Sequence, residues 1–402
     1  MLTFEGFLRF TTTRNLIFNY FHTQTKPSLY INGLHYSLYL CKMDSRNGET
    51  PKTTEDARNA IMELVNLITV PMSVISVIRL NVADSIWQNG SNTPLTASQI
   101  LSRSFPSGSS GDPENLQRIL RLLTSYGVFN EHIDDASERR YSLTDIGKLL
   151  VTDEKGLSFG LYFLQHHQEE LMKAWPLMHE VVLDSSTEPF VKANGGETAY
   201  GMYQKRPEMN ELMLRAMSGV GAHFMTSVLE GYDGFDGVER LVDVGGSAGD
   251  SLKMILAKYP NIKEGVNFDL PDVVAKAPQI EGVTHVGGDM LEFIPKGDAI
   301  FMKWILVIWT DDEVKKILSN CFNAIPVGGK LIVCEPVLPC HSDDSNRTRA
   351  LLEADIFCMT IYRAKGKHRT EEDICKLGKL VGFKSFRAIY NDSLYTLLEF
   401  KK

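Results

Sequence analysis

From about residue 235 to the C-terminus, short apolar runs alternate with amphipathic segments, and that alternation admits few folds. "RLVDVG" reads as a buried strand, "GDSLKMILAKYP" as a helix, and "GVNFDL", "VTHVGGD" and "AIFMKWIL" as three further strands. Thr310 then opens a helix as a capping box with Glu313, and Val314, Ile317, Leu318, Cys321 and Phe322 form its apolar stripe. "KLIVCEPVL" is a fifth strand, and "SFRAIYN" with "LYTLLEF" a closing hairpin. Strands alternating with helices predict a mostly parallel sheet, a doubly wound α/β domain. Ligands of such sheets bind at the carboxyl ends of the strands.

The chain before this point has a different pattern. "RNAIMELVNLITVPMSVISVIRLNVADSIW" is too densely apolar for a solvated amphipathic helix, so its surface needs cover from this chain or from a second copy. A homodimer is the economical expectation. Pro71 predicts a break or bend within the stretch. "TPLTASQILSRSF", the loop "PSGSSGDP", "ENLQRILRLLTSYGVF" and "RRYSLTDIGKLLV" follow, giving short helices and a small hairpin in a winged-helix pattern. Arg118 and Arg121 are nearly the only cations on the second of these helices, which argues against DNA contact. The expected division is an α-helical winged-helix dimerisation domain over 43–195 and a Rossmann-like domain over 196–402.

The net charge of −8 on 402 residues agrees with the absence of a nucleic-acid role. No apolar run reaches the roughly 18 residues of a spanning helix, so no membrane is expected. The six cysteines show no C-x-x-C spacing, giving no zinc signature and fitting reduced thiols. Residues 1–42 set Arg9, Arg14, Lys26 and Lys42 against one acid, Glu5. Such a segment reads as an organelle transit peptide or as an upstream gene-model extension before a cytosolic start at Met43. The expected location is therefore cytoplasmic, or an organelle if the segment is a transit peptide.

Chemistry concentrates at the predicted strand ends. The first ends in "DVGGSAG", where glycine lets the backbone approach a ligand and the turn presents amides at a helix start. Asp269 ends the second strand, 24 residues after Gly245, where an acid can accept both hydroxyls of a ribose. "GGDM" places Asp289 and Met290 to bond and cover an adenine, and Lys303 and Trp304 end the fourth strand. The turn is not G-x-G-x-x-G, which argues against a dinucleotide.

"LVDVGGSAG", "NFDLPDVV", "HVGGDM", "AIFMKW", "NCFNAIPVGGKLIVCEPVLP" and the final "EF" resemble, in order, the plant small-molecule O-methyltransferase family of the caffeic-acid and flavonoid type. The likeness covers nearly all of 43–402. It implies S-adenosylmethionine as methyl donor, a winged-helix dimerisation domain and a Rossmann-like catalytic domain. By position, Gly245, Asp269, Asp289, Met290 and Lys303 match the family's cofactor contacts; Ser247 stands where the family usually has glycine.

One departure bears on the reaction. After "MKW" the family carries a histidine that deprotonates a phenol, and here that position is Val307, within "ILVIW". Of the two family glutamates that orient the histidine, one matches Glu335 and the other is replaced by His368 in "GKHRT". A phenol needs general-base help at neutral pH, whereas a pyridine nitrogen already presents its lone pair. "SNTPLTASQIL", "GDPENLQRILRLLTSYGVF" and "GKHRT" are similar to the branch that methylates nicotinate to N-methylnicotinate (trigonelline). That flat aromatic acid needs donors for its carboxylate and rings for its faces. The candidates are Tyr162, His166, His368 and Arg363, with Tyr200, Tyr203 and Trp304 as ring walls, and His166 as the principal electrostatic dock. Two other expectations stand beside this one. A small aromatic plant metabolite could be O- or N-methylated with His166 or His167 as a relocated base, or the chain could be a non-catalytic partner subunit. No residue is assigned as general base or metal ligand.

Overall fold

The computed structural model describes residues 53–105, 111–390 and 392–402. The expected extension over 1–42 and most of the "PSGSSGDP" loop lie outside the described residues.

Helix α1 (Thr54–Asn66) starts at Thr53, whose hydroxyl accepts from the Asp56 amide. It meets α2 (Thr69–Arg79) at an angle of 46°. Pro71 accounts for the bend, because its ring clashes with the carbonyl four residues back, at Leu67, where the helix has to break. α1 buries no residue, and Ile61, Met62, Leu64, Val65 and Ile68 stand exposed along it and the bend. Among the described residues no single helix is long and apolar enough to cross a membrane, although the bent pair together passes by length and composition.

The winged helix forms as its turn signals predict. Helices α3 (Val82–Trp87), α4 (Ala97–Ser104) and α5 (Pro113–Ser125) precede an antiparallel hairpin of β1 (Phe129–Ile133) and β2 (Arg139–Leu143). Asp112 caps α5 by accepting from the Glu114 and Asn115 amides, with Pro113 at the first helical position. Ile86, Ile100, Leu120, Leu123, Phe129 and Tyr141 make the core. Helix α6 (Phe159–His166) leads away from the wing, and α7 (Ala199–Lys205) precedes the 25-residue α8 (Pro207–Gly231). α6 lies along α8 and also touches α2, so the helical half and the sheet half share one framework.

The sheet is built from β3 (Arg240–Val244), β4 (Glu264–Asp269), β5 (Val283–Gly287), β6 (Ala299–Lys303), β7 (Lys330–Leu338), β8 (Arg369–Thr370), β9 (Ser385–Ile389) and β10 (Tyr395–Lys401). Its order is β5-β4-β3-β6-β7-β10-β9, with β8 beside the end of β7. β3 to β7 run parallel, and the closing hairpin inserts β10 antiparallel to β7. Helices α9 (Asp250–Lys258), α10 (Asp311–Ala324), α11 (Asn346–Phe357) and α12 (Glu371–Val381) complete the domain. The chain leaves β3 toward β5 and returns to β6 on the other side, which opens a crevice at the carboxyl ends of β3 and β6.

α10 begins with the expected capping box, Thr310 and Glu313 bonding each other's backbone. Val314, Ile317, Leu318 and Cys321 are fully buried under the sheet. Thr310→Ala removes that cap and is expected to lower stability by about 1 kcal/mol, seen as a lower denaturant midpoint at unchanged slope.

Candidate functional site

The β3 strand delivers the chain into the turn 245–249. A Cβ on Gly245 would lie 2.2 Å from Ile305 Cδ1, and one on Gly246 would lie 2.1 Å from Asn267 Oδ1, so a side chain at either position would displace these neighbours, and Gly245 also adopts φ 71°. Ser247 adopts φ 52° without being glycine. Its amide donates to Asp269 Oδ2 at 2.9 Å, while Leu270 donates its amide to Oδ1 at 2.7 Å. Burial raises the Asp269 pKa, and these two bonds oppose it. Each oxygen keeps a further lone pair for a hydroxyl. Gly288 donates its amide to the Asp269 carbonyl at 3.0 Å, which ties in the next loop. There Asp289 accepts from the Leu291 amide at 2.8 Å and Met290 packs on the sheet core. Lys303 ends β6 with its ammonium 3.9 Å from the Trp304 ring centroid, and burial lowers its pKa. Among the described residues this ammonium forms no ion pair at contact distance.

Gly245, Asp269, Asp289, Met290 and Lys303 therefore share the strand ends where the sequence placed them. The set fits S-adenosylmethionine on this geometry. A carboxylate keeps lone pairs for ribose hydroxyls, a buried ammonium ends the neighbouring strand, and a turn with glycine at 245, 246 and 249 lies between them.

The predicted strand "AIFMKWIL" stops at Lys303, three residues earlier than the apolar run suggested. Trp304 turns the chain at φ 59°, its amide held by the Cys334 carbonyl at 3.0 Å. Residues 305–309 are then gripped from two sides. Glu335 Oε1 accepts from the amides of Ile305 and Leu306, both at 2.8 Å. Arg369, buried, donates to the carbonyls of Leu306 at 2.9 Å and Trp309 at 2.6 Å, and its Nε reaches Asp311 at 3.0 Å. Gly366 is obligatory beneath, since a Cβ there would meet the Ile308 carbonyl oxygen at 2.6 Å. Val307 and Ile308 sit in a short 3-10 turn that packs against residues 358–362. Burial pushes the Glu335 carboxyl up to about 7 despite its two amide bonds, and its second oxygen finds no partner among the described residues.

Facing this turn is a chain of rings. Tyr162 and His166 are 3.9 Å apart between centroids, and His166 stacks on Phe357 at 4.1 Å. Phe357 meets Tyr362 at 5.9 Å, Tyr362 stacks on Tyr200 at 5.2 Å, and Tyr200 contacts Tyr203 at 6.4 Å. Four of the seven predicted acceptor residues, Tyr162, His166, Tyr200 and Tyr203, thus belong to one aromatic assembly. Phe357 and Tyr362, which sequence reasoning missed, join them. Tyr362 arrives through a π-helical turn, Cys358–Tyr362, and such a turn has no residue signature.

The other three candidates are placed differently, and His166 carries no charge. Its Nδ1 donates to the Tyr162 carbonyl at 3.1 Å, leaving Nε2 as a lone pair, and burial pushes its pKa down to about 3. Burial therefore disfavours the cationic form on which the expected docking of a carboxylate by His166 depends. His368 is buried with Nε2 3.5 Å from Cys358 Sγ, and burial lowers its pKa to about 4, so it supplies no cation either. Arg363 forks onto both Glu313 oxygens at 3.0 Å and lies 5.1 Å over Trp309, so its charge is already paired. Trp304 stacks on Tyr395 at 4.9 Å and meets Phe224 at 5.9 Å, inside the sheet-side core rather than among the acceptor rings.

The pH dependence of stability follows from Glu335. Its folded value of about 7 exceeds the ordinary 4.5, so its contribution to folding is complete below about 4.5 and is lost as pH rises toward about 7. Glu335→Gln keeps an acceptor for the two amides and cannot ionise. The variant is expected to lose less stability than the wild type across that interval, measured by denaturant titrations at several pH values.

Comparison with known proteins agrees with this geometry. The O-methyltransferase domain family matches residues 175–384, and the O-methyltransferase dimerisation domain family matches residues 62–153. Nicotinate N-methyltransferase 1 of Glycine max is 65% identical over 88% of this chain and 99% of its own length. The Arabidopsis thaliana protein of the same name is 62% identical over 88% of this chain and 99% of its own. Among solved structures, the S-adenosylhomocysteine-bound form of CalO1, a methyltransferase of calicheamicin biosynthesis, superposes with a TM-score of 0.74 at 23% identity, covering 87% of this chain and 99% of that one. With its dimerisation half, its cofactor crevice and these relatives, the chain belongs to the O-methyltransferase family.

Proposed function

We propose that this protein methylates nicotinate on its ring nitrogen, giving N-methylnicotinate (trigonelline), and that it does so without a general base. The observation that carries the base-free reading is the rigid apolar turn of Val307 and Ile308, which replaces the family's proton acceptor. Relatives at 65% and 62% identity bear the nicotinate N-methyltransferase name.

S-adenosylmethionine, when bound, supplies a methyl on a sulfonium that a lone pair displaces in line. Asp269, Asp289, Met290 and Lys303 would hold it at the strand ends. Orientation and exclusion of water are the remaining requirements, because no proton leaves a pyridine nitrogen. Glu335 and Arg369 fix the backbone of the turn, so Val307 and Ile308 form a wall that neither bonds water nor moves. The aromatic assembly offers flat surfaces for the ring. Burial raises the pKa of Tyr162, Tyr203 and Tyr362, keeping each hydroxyl protonated, whereas Tyr200 stands half exposed beside them. Gln165 donates to the Tyr203 oxygen at 2.8 Å, and the Tyr203 and Tyr362 hydroxyls share a further hydrogen bond. Hydroxyl donors thus take over the carboxylate docking first assigned to cations. His166 is disfavoured as a relocated base: a histidine with a pKa of about 3 is a poor acceptor for a phenol proton of pKa ~10.

We also propose a homodimer closed over the exposed apolar residues of α1 and the bend after it. The dimerisation-family match begins at residue 62, within that stretch.

Labelled S-adenosylmethionine offered with nicotinate, caffeate and a flavonoid is expected to label nicotinate alone, on nitrogen. Val307→Ala is expected to retain activity within about tenfold, whereas removal of a general base costs roughly 10²–10⁴-fold. A phenolic product, or a loss on the larger scale, overturns the base-free reading. Leu64→Asp combined with Ile68→Asp is expected to convert the dimer to monomer in sedimentation experiments.

A further inference from the structure

Ser247 is held in its left-handed conformation from two sides. Its amide goes to Asp269, and its carbonyl accepts from Asn267 Nδ2 at 2.9 Å. The same Nδ2 lies 3.0 Å from His285 Nδ1, and His285 Nε2 lies 2.9 Å from the Pro278 carbonyl. The ends of this chain fix every proton in it. Carbonyl oxygens only accept, so Nε2 of His285 carries hydrogen toward Pro278 and Nδ1 is left as an acceptor. Asn267 then directs one N–H to His285 and the other to Ser247. Turning the Asn267 amide over would set its oxygen against the Ser247 carbonyl. The present orientation is kept although Asn267 Oδ1 is buried without a partner.

The strain at Ser247 gives the chain of bonds its purpose. Non-glycine residues resist φ values such as 52°, and glycine does not. Ser247 is also the residue whose amide orients the Asp269 carboxylate, so relaxation at Ser247 would release one of the two bonds on that carboxylate.

We propose that Asn267 and His285 are positioning residues for S-adenosylmethionine, acting through Ser247 on Asp269. They hold Ser247 at a positive φ that glycine adopts without strain, and they keep Asp269 aimed at the ribose hydroxyls.

The test is calorimetric titration of the full-length protein with S-adenosylhomocysteine, with no acceptor present. Asn267→Ala is expected to weaken binding by roughly tenfold, the scale of one buried hydrogen bond lost with its partner left unpaired. The same substitution in a Ser247→Gly background is expected to cost roughly threefold or less, because glycine holds the turn unaided. An equal penalty in both backgrounds, or none in either, overturns the proposal, since a purely structural amide would not notice the glycine. Thermal unfolding reports whether each variant is folded. If Asn267→Ala is not, His285→Phe, which leaves Asn267 in place, is measured in the same two backgrounds against the same criterion.

Discussion

Glu335 and Arg369 are opposite charges, both buried, and the structure joins them through backbone rather than through each other. The carboxylate takes two amides of residues 305 and 306, and the guanidinium takes the carbonyls of 306 and 309. Peptide dipoles and Asp311 compensate the guanidinium, whereas the two amides only partly offset the burial that raises the Glu335 carboxyl. A five-residue segment that leaves a strand at positive φ would otherwise be a mobile loop. Gripped this way, it is a fixed surface with Val307 and Ile308 upon it.

The rest of the site depends on that surface. It stands against the π-helical turn that brings Tyr362 to Tyr200 and Cys358 to His368. On its other side, Ile305 occupies the space a side chain on Gly245 would need. Cofactor turn and acceptor wall are thus in contact through one isoleucine. Among the described residues Glu335 also keeps an unpartnered oxygen next to the turn, in the place where the resemblance put an orienting partner for the missing histidine.

Burial decides the electrostatics of the acceptor side more than residue type does. His166, His368 and Arg363 looked like three cations gathered for a carboxylate. Two are neutralised by desolvation and the third is paired with Glu313. The aromatic assembly itself carries the hydroxyls of Tyr162, Tyr200, Tyr203 and Tyr362. Neutral donors suit an acceptor whose nitrogen must stay unprotonated, because they bond a carboxylate without placing a proton source of low pKa beside the ring.

The order of strands and helices, the capping box at Thr310, the bend near Pro71 and the placement of Asp269 and Asp289 at the strand ends were all legible in the sequence. Each is a local pattern: hydrophobic period, a side chain reaching its own helix end, a proline ring, an acid terminating an apolar run. The loss of the base at Val307 was legible too, since it needs only a position. Tertiary structure alone settled the strand end at Lys303, where a positive φ at Trp304 is enforced by Cys334 and Glu335 from a neighbouring strand. It alone assembled Phe357 and Tyr362 with Tyr162, through a π-turn that leaves no mark in residue spacing. The charge states of His166 and His368 likewise belong to the fold, because desolvation is set by neighbours distant in the chain, and no run of residues carries that information.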